Sequence, residues 1–413
     1  MSHSRPFLTL AGLSLLWSGA VGAAEIETLG GELQDQVVRI APERGRLVVS
    51  TRRRSLPLES VKSIRFRAVK RESGAAKLLL AGGDVLRANI EGGDDEAVGI
   101  HGGALGRRRV PLDLLRAVFP AVDPERERAL MAELATENAV DWVRLRNGGT
   151  VKGSLSAIDG VRVVLDTDVE GGSRLGEMSL DLAKVELVSI APLDDPPPPP
   201  QGVHVVARLI DGSSLTAELV DFREGTLRLR HPLAGSEPLA VPETKLAELV
   251  VRGGRFVYLS DLEPVKVEQR FPPEYTYEVS VWGYKRDASV TGGPLRLGGK
   301  RYEKGLGVHS YCALTYALDG NYDSFRAVVG LDDSTRTLGE PGFGAVVFQV
   351  LLDGKPAKEL PTGLVKRKGD EPTRLAIDVR GKRSLTLVAD FDPVSLHVLG
   401  RADWADAHLL RSR

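Results

Sequence analysis

Alternating apolar residues, interrupted by glycine-marked turns, run through most of the chain between residues 25 and 254. The best-matched segments are residues 147–155 (NGGTVKGSL) and 211–219 (DGSSLTAEL), whose apolar positions coincide. Residues 83–90 follow the same plan, and residues 30–37 form a weaker fourth copy. A turn signal followed by period-two alternation is typical of β-hairpins, so each segment predicts one.

Each of the four copies continues in the same way, with a second strand, a closing strand and an apolar cluster. The second strands are predicted at residues 47–50, 97–100, 161–165 and 226–230, and the closing strands at residues 56–58, 110–112, 178–180 and 239–241. The apolar clusters end near Ile64, Val118, Val188 and Val250. Because such short units have thin cores, a spacing of roughly 50 to 65 residues predicts tandem small β-barrel-like repeats. We place two repeats at 25–120, a third at 141–192 and a fourth at 202–254; they loosely resemble SH3-like or Sm-like barrels.

Two segments interrupt the repeats. The segment from Asp123 to Asn138, within a helical region at 121–140, has a capping aspartate followed by Pro124, and Glu127 stands where a capping-box acceptor belongs. Its apolar stripe consists of Leu130, Met131 and Leu134. The second segment, residues 193–201, contains five consecutive prolines, which favours a stiff spacer; a partner-binding ligand is the alternative.

The first 24 residues have the layout of a signal peptide. Arg5 is followed by the apolar run 7–17 and by small residues up to Ala24, where we expect cleavage. A buried N-terminal helix is the alternative. We therefore expect an exported protein, periplasmic or extracellular, and without a membrane span, because no apolar segment has the length needed to cross a bilayer.

Composition narrows the classes of ligand and partner that the chain could bind. A formal net charge of -1 provides no field that would attract nucleic acid or an anionic membrane. The only cysteine, Cys312, excludes an intramolecular disulfide, and its alternating surroundings predict a buried strand residue. All eight tyrosines, and 16 of the 22 aromatic residues, lie between residues 256 and 404. Aromatic rings with a polar group are suited to amphipathic ligands such as sugars, so candidate binding chemistry is concentrated there.

Short strands broken by turns continue from residue 255 to the end of the chain. The candidate strands are 278–282, 306–309, 312–318, 325–331, 345–352, 374–379, 385–389 and 408–410. Many short strands with glycine and proline turns and without a helical stretch predict a two-sheet sandwich.

Seven motifs in this region resemble the NPCBM carbohydrate-binding module, also known from the family 98 glycosyl hydrolases. They are YLSDLEP (258–264), SVTGGPLRL (289–297), YEKGLGVHS (302–310), LTYAL (314–318), FRAVVGLDD (325–333), VVFQVLLDG (346–354) and DWADAHL (403–409). The resemblance covers residues 256–413 with the motifs in order. It implies a galactose-binding-like jelly-roll sandwich that holds glycans. The predicted fold is therefore all-β, with tandem small β-barrel-like repeats and one helix followed by this sandwich.

Within the sandwich we single out seven candidate carbohydrate-binding residues: Trp282, Tyr284, Arg286, His309, Tyr311, Asp332 and Asp333. Trp282 and Tyr284 are two apart, so a strand would place both on one face as a stacking platform, with Arg286 at its rim. His309 can donate and accept hydrogen bonds to sugar hydroxyls, or can pin a turn from within the core. Each aromatic has the same alternative of a core role, and for Trp404 we expect the core.

The adjacent carboxylates of Asp332 and Asp333 suit sugar hydroxyls, Ca²⁺ coordination or turn capping. If they continue a strand they point to opposite faces, so at most one would face a given site. No cofactor is expected beyond a structural Ca²⁺, and no metal site is assigned.

The sequence contains no recognisable catalytic pattern: there is no nucleophile elbow, phosphate loop, HExxH or zinc-spaced Cys/His pair. We therefore predict a non-enzymatic protein that binds glycan or polysaccharide, with other envelope proteins as further partners. The alternative is a structural or protein-interaction scaffold of the cell envelope.

Overall fold

The computed structural model describes residues 23–68, 75–121, 123–136, 140–167, 176–192, 198, 200–270, 282–338, 343–393 and 398–411. The chain divides into two compact units, Met1–Arg252 and Gly253–Arg413. The predicted signal peptide up to residue 22, most of the proline run and most of the strand predicted at 278–282 lie outside the described residues. None of the helices in the described ranges is both long and apolar enough to cross a membrane.

The first unit contains four repeats of one five-stranded plan, in which the second strand is divided into two in the first and third repeats. The first repeat has β1 (Ala24–Thr28), β2 (Gly31–Asp35), β3 (Val37–Glu43), β4 (Arg46–Thr51), β5 (Ser55–Pro57) and β6 (Val61–Arg65). The second has β7 (Ala76–Leu80), β8 (Val85–Gly93), β9 (Ala97–His101), β10 (Arg108–Pro111) and β11 (Leu115–Phe119). The third has β12 (Trp142–Leu145), β13 (Thr150–Lys152), β14 (Ser154–Ile158), β15 (Arg162–Asp166), β16 (Glu177–Asp181) and β17 (Val185–Ser189). The fourth has β18 (His204–Leu209), β19 (Ser214–Arg223), β20 (Thr226–Arg230), β21 (Leu239–Pro242) and β22 (Leu246–Arg252).

In every repeat the chain forms antiparallel hairpins and then returns, so that the last strand pairs with the first. The pairs β1–β6, β7–β11, β12–β17 and β18–β22 make this return contact. Short 3₁₀ helices precede the last strands, at Leu58–Ser60, Leu112–Leu114, Leu182–Lys184 and Glu243–Lys245, with a further one at Pro232–Ala234. The predicted repeats are confirmed, but they are open units. Within the described ranges, the last two strands of each repeat do not pair with one another, so the repeat does not close into a barrel.

The last strand of each repeat is also paired to another repeat. Strand β6 pairs with β22, and β11 pairs with β17, so each of these four strands has a neighbour on both edges. All five residues of β17 are buried. This explains why the sequence shows apolar clusters there instead of clean alternation, since both faces of such a strand are covered.

The helix α1 (Pro124–Thr136) packs against the second and third repeats. The Asp123 carboxylate accepts hydrogen bonds from the backbone N–H groups of Glu125 and Arg126, as its capping role requires. Glu127 was expected to complete a capping box. Its carboxylate instead pairs with Lys77 at 2.9 Å and Arg87 at 3.1 Å, because these cations on the adjoining hairpin are stronger partners for a carboxylate than a backbone N–H.

The second and fourth repeats contact one another through matching turns. One carboxylate oxygen of Asp84 accepts a hydrogen bond from the backbone N–H of Thr216 at 2.8 Å. The other oxygen accepts a hydrogen bond from Nε2 of His231 at 2.8 Å. Nε2 is the donor because Nδ1 of the same ring accepts a hydrogen bond from the Leu233 N–H. Asp211, at the corresponding turn of the fourth repeat, reciprocates by accepting from the N–H of Ala104.

The second unit is a two-sheet sandwich. Sheet I contains β23 (Phe256–Tyr258), β25 (Lys285–Arg286), β28 (Gly305–His309), β30 (Tyr322–Leu331), β34 (Thr373–Asp378) and β36 (Arg401–Arg411). Sheet II contains β24 (Lys266–Gln269), β29 (Cys312–Ala317), β31 (Ala345–Leu352), β32 (Lys355–Pro356), β33 (Leu364–Arg367) and β35 (Ser384–Phe391). A hairpin of β26 (Leu295–Leu297) and β27 (Lys300–Tyr302) and two 3₁₀ helices, Leu259–Asp261 and Asp333–Thr335, complete the described elements.

The core of the sandwich lies between the two sheets. The indole of Trp404, from sheet I, meets the ring of Phe348, from sheet II, edge-on, with 5.1 Å between their centroids. Both side chains are completely or almost completely buried, which confirms the core role expected for Trp404. Cys312 is also in this core, and burial raises the pKa of its thiol to about 12, as suits a structural residue.

The outer face of sheet I is covered by residues 288–302. Because side chains alternate along a strand, Asp403 faces outward, and its register partners on both neighbouring strands are glycines, Gly307 and Gly330. A Cβ on Gly307 would lie 2.3 Å from the carbonyl oxygen of Ala288, so only glycine allows the covering segment to approach. Leu297 then packs over this face.

Asp403 is fully buried beneath this cover. Its carboxyl group lies next to that of Asp332 and to the backbone N–H of Arg296, but neither oxygen makes a well-formed hydrogen bond to the described residues. Burial, and after it the negative charge of Asp332, raise the pKa of Asp403 well above its usual value. The site therefore favours the neutral acid over the carboxylate.

We predict that Asp84→Ala lowers the free energy of unfolding by about 2–3 kcal/mol, because the buried ring N–H of His231 and the half-buried backbone N–H of Thr216 lose their acceptor. Chemical denaturation of the full chain would measure this. The matched control is Asp95→Ala, which alters an exposed aspartate and should change stability by less than about 0.5 kcal/mol. An equal effect of the two substitutions would contradict the role given to Asp84.

We predict that Asp403→Asn stabilises the protein increasingly as the pH rises above 4. Below the usual pKa of aspartate, folded and unfolded chains both carry the proton. Above it the unfolded chain releases its proton while folded Asp403 retains it, so wild-type stability falls by up to about 1.4 kcal/mol per pH unit until the folded pKa is passed. Asparagine removes this dependence.

Thermal unfolding of both forms between pH 4 and 8 tests this prediction. Asp378→Asn is the control: because the Arg380 guanidinium lowers the pKa of Asp378, the stability from that pair is lost only as the pH falls below about 4, and the difference from wild type should stay constant between pH 4 and 8. A difference between wild type and Asp403→Asn that stays constant with pH would refute the account of Asp403.

Candidate functional site

The candidate site lies at one end of the sandwich, where β24, β28, β30 and β35 end and β36 begins. We call this region the loop end and define it by six residues: Arg270, Trp282, His309, Tyr311, Phe391 and Arg401. The antiparallel register between β28 and β36 pairs His309 with Arg401. Register partners project from the same face of a sheet, so these two side chains are neighbours on the outer face of sheet I.

Trp282 packs on both of these neighbours. Its ring centroid is 5.0 Å from that of His309, with the planes tilted by 36°, and 5.3 Å from the guanidinium carbon of Arg401. The amide of Gln269, at the end of β24, donates a hydrogen bond to the Trp282 carbonyl at 3.2 Å. Trp282 and Arg401 are half-buried, whereas His309 is buried. The indole is thus fixed in position while part of it still faces solvent.

His309 is held by the backbone. Its Nδ1 donates a hydrogen bond to the carbonyl oxygen of Ser310 at 2.8 Å, so this nitrogen carries a proton. The N–H of Ser310 in turn donates to the carbonyl of Gly400 at 2.9 Å, which joins the two strand ends. His309 therefore pins the turn, as its core alternative proposed, and also supports Trp282.

Tyr311 forms a second aromatic–cation contact at the loop end. The guanidinium carbon of Arg270 lies 4.9 Å from the Tyr311 ring centroid, and the Phe391 ring lies at 6.3 Å. Arg270 and Tyr311 also exchange backbone hydrogen bonds. Burial raises the pKa of the Tyr311 phenol, so at neutral pH it is a neutral hydrogen-bond donor.

Tyr284 and Arg286 are not brought together with His309. Trp282 and Tyr284 precede β25 and are not in a strand, so the expected strand platform is wrong. Tyr284 packs against the core instead. Arg286 pairs with Leu306, three residues before His309 and thus about 10 Å along β28. It donates to Glu263, and that hydrogen bond raises the pKa of Arg286.

Asp332 and Asp333 both hold the hairpin of β26 and β27. Asp332 accepts from the N–H of Arg296 at 3.2 Å, and Asp333 accepts from Gly298 at 3.1 Å and Gly299 at 2.8 Å. The expectation that they point to opposite faces is wrong, because β30 ends before them and Asp333 begins a 3₁₀ turn. Their contacts are those of the turn-capping alternative; a ligand role for them stays a prediction.

In the described part of the chain, no group of three or more His, Cys, Asp or Glu side chains is placed to hold a metal ion. The structural Ca²⁺ considered from the sequence therefore has no such site among these residues.

Sequence reasoning missed three residues of the loop end, Arg270, Phe391 and Arg401. All three come from strand ends that the sequence pattern did not delimit. The strand predicted at 408–410 is the end of an eleven-residue strand that begins at Arg401. The two arginines carried no motif signal, so only the register could have found them.

Comparison with known proteins agrees with the resemblance of the motifs. Residues 255–410 match the NPCBM/NEW2 domain family. A "Putative endo-alpha-N-acetylgalactosaminidase" from Renibacterium salmoninarum is 31% identical over 125 residues, which is 30% of this chain. The chain spans only 8% of that relative's length.

Solved structures also resemble the chain. The CBM51 module from Clostridium perfringens GH95, in complex with methyl-galactose, is 24% identical and covers 37% of this chain and 99% of its own, with a TM-score of 0.30. Tandem CBM51 modules of a family 98 glycoside hydrolase from Streptococcus pneumoniae are 12% identical, covering 81% of this chain and 88% of their own, with a TM-score of 0.31. By its match to the family model, the region 255–410 of this chain is an NPCBM/NEW2 domain.

Proposed function

We propose that the chain is an exported, non-catalytic protein that attaches to glycan or polysaccharide through its C-terminal unit. The observation that carries this proposal is the position of Trp282, a half-buried indole fixed over His309 and Arg401 at the loop end of a carbohydrate-binding module. A held aromatic ring beside hydrogen-bond donors is suited to a sugar, which has apolar C–H faces and polar hydroxyls.

The polar groups of the loop end fit this ligand class. Arg401 provides N–H donors beside the indole, and the neutral phenol of Tyr311 both donates and accepts. Their fixed positions reduce the ordering cost of binding. A single sugar offers few atoms, so we expect a dissociation constant on the order of millimolar to micromolar at one site.

Export and the lack of catalysis belong to the same proposal. Export rests on the signal-like layout of residues 1–24. The non-catalytic assignment rests on the sequence, which has no recognisable catalytic motif, and on the binding character of the module's family. In this account the four repeats are a spacer or a surface for envelope partners.

We predict that Trp282→Ala abolishes or weakens glycan binding by roughly tenfold or more, because it removes the ring against which the sugar packs. A broad glycan array probed with the full chain, followed by calorimetry on the hits, would measure the change. The matched control is Tyr322→Ala, which removes a half-buried aromatic ring from the other end of β30 and should leave binding unchanged.

Folding of each variant is checked by circular dichroism. If the folded wild type binds no glycan on the array, the carbohydrate proposal fails, and the envelope scaffold becomes the better account. If glycan binding survives Trp282→Ala unchanged, the proposed location of the site is wrong.

A further inference from the structure

Arg401 has no acidic partner among the described residues, in contrast to three other arginines of the sandwich. Arg336, Arg367 and Arg380 each lie within 3.6 Å of a carboxylate oxygen. Among the described residues, no carboxylate lies within ion-pair distance of the Arg401 guanidinium; its polar contact is a 3.5 Å approach to the hydroxyl of Ser334. A half-buried guanidinium in this state has unused donors.

Asp332, an acidic residue next to Arg401, does not form an ion pair with the Arg401 guanidinium. The residue beside it at the end of β30 is Asp332, whose backbone N–H donates to the Arg401 carbonyl at 3.0 Å. The Asp332 carboxylate, however, is directed to the backbone N–H groups of Arg296 and Ser334. Its oxygens are thus engaged in holding the hairpin and the 3₁₀ turn.

Arg270, the second cation of the loop end, differs from Arg401 in having carboxylates nearby. Arg270 is exposed and has Glu268 at 3.9 Å, and both Glu268 and Asp390 act electrostatically on the adjoining Tyr311. An anion approaching that side would meet two carboxylates. The Arg401 side, where the guanidinium lies over an indole that is itself half-buried, is the favourable position for negative charge.

We propose that the glycan bound at the loop end is acidic, carrying a carboxylate or a sulfate that pairs with Arg401 while the sugar ring lies against Trp282. This inference rests on the proposed function and narrows its ligand class. The planar guanidinium presents paired N–H donors that match two oxygens of a carboxylate or sulfate, and stacking on an indole limits its rotation. The chain's net charge of -1 provides no general attraction, so the selection must be local.

The test uses the full chain at pH 7 and measures binding by affinity electrophoresis and calorimetry. The probes are polygalacturonate, its methyl ester, dextran sulfate, dextran and a neutral galactan. The methyl ester differs from polygalacturonate only in losing the charge, and the dextran pair separates sulfate from carboxylate recognition. Wild type is compared with Arg401→Gln, Arg401→Lys and, as a control for the loss of one positive charge, Arg380→Gln.

We expect wild type to bind polygalacturonate or dextran sulfate and to bind the matching neutral polymer at least tenfold more weakly. Arg401→Gln should lose roughly 10- to 100-fold in affinity for the acidic polymer, the range of a hydrogen bond to a charged group. Arg401→Lys should recover part of this loss, and Arg380→Gln should match wild type. Affinity for the acidic polymer should also fall as sodium chloride is raised from 20 to 300 mM.

Two outcomes overturn the inference, and they are distinguishable. Binding of neutral galactan or dextran with equal affinity in wild type and Arg401→Gln refutes the acidic ligand and leaves carbohydrate binding standing. If the folded wild type binds none of the five polymers and no glycan of the array, the proposed function and the inference are overturned together. Circular dichroism and a melting temperature for each variant exclude misfolding as the cause of a loss.

Discussion

The double pairing of strand β36 is the constraint on which the site depends. This strand pairs with β28 on one edge, over residues 401–405, and with β30 on the other edge, over residues 402–411. Its alternation sends Trp404 into the core and Arg401 and Asp403 to the outer face. A slip of one residue would exchange these faces, so the core packing of Trp404 also fixes the position of Arg401.

The outer face shows how the fold accommodates a polar strand under a cover. Gly307 and Gly330 leave room on both sides of Asp403, and residues 288–302 occupy that room. Asp332 and Asp333 then anchor the covering hairpin through its backbone N–H groups. The cost is a buried carboxyl group, Asp403, whose charged form is disfavoured. The glycines and aspartates of the GLG, GLDD and DWAD motifs therefore act together, as parts of one packed layer.

Much of this architecture could be predicted from the sequence. Turn residues and period-two alternation located the third and fourth strands of all four repeats closely, because both signals are local. The first strand of each repeat was missed, since it precedes the turn signal. The pairing of β6 with β22 and of β11 with β17 joins residues far apart in sequence, so it depends on tertiary packing that no local pattern encodes.

The candidate site was predicted less completely. Trp282, His309 and Tyr311 were found through their residue types and a family resemblance, and they do lie at one end of the sandwich. Tyr284 and Arg286 were included on the assumption of a strand, and the backbone before Lys285 is not one. Arg401 escaped notice because an isolated arginine carries no signal until the register places it beside His309.

The location of the glycan site at Trp282 can be tested by titrating the isotope-labelled full chain with the best-binding glycan and following the tryptophan indole N–H signals. The chain has four tryptophans, and Trp282→Phe assigns the relevant signal. We expect a saturable shift of the Trp282 signal, while the signals of Trp142 and Trp404, both buried in their cores, stay in place. A bound glycan that leaves the Trp282 signal unmoved would contradict this location of the site.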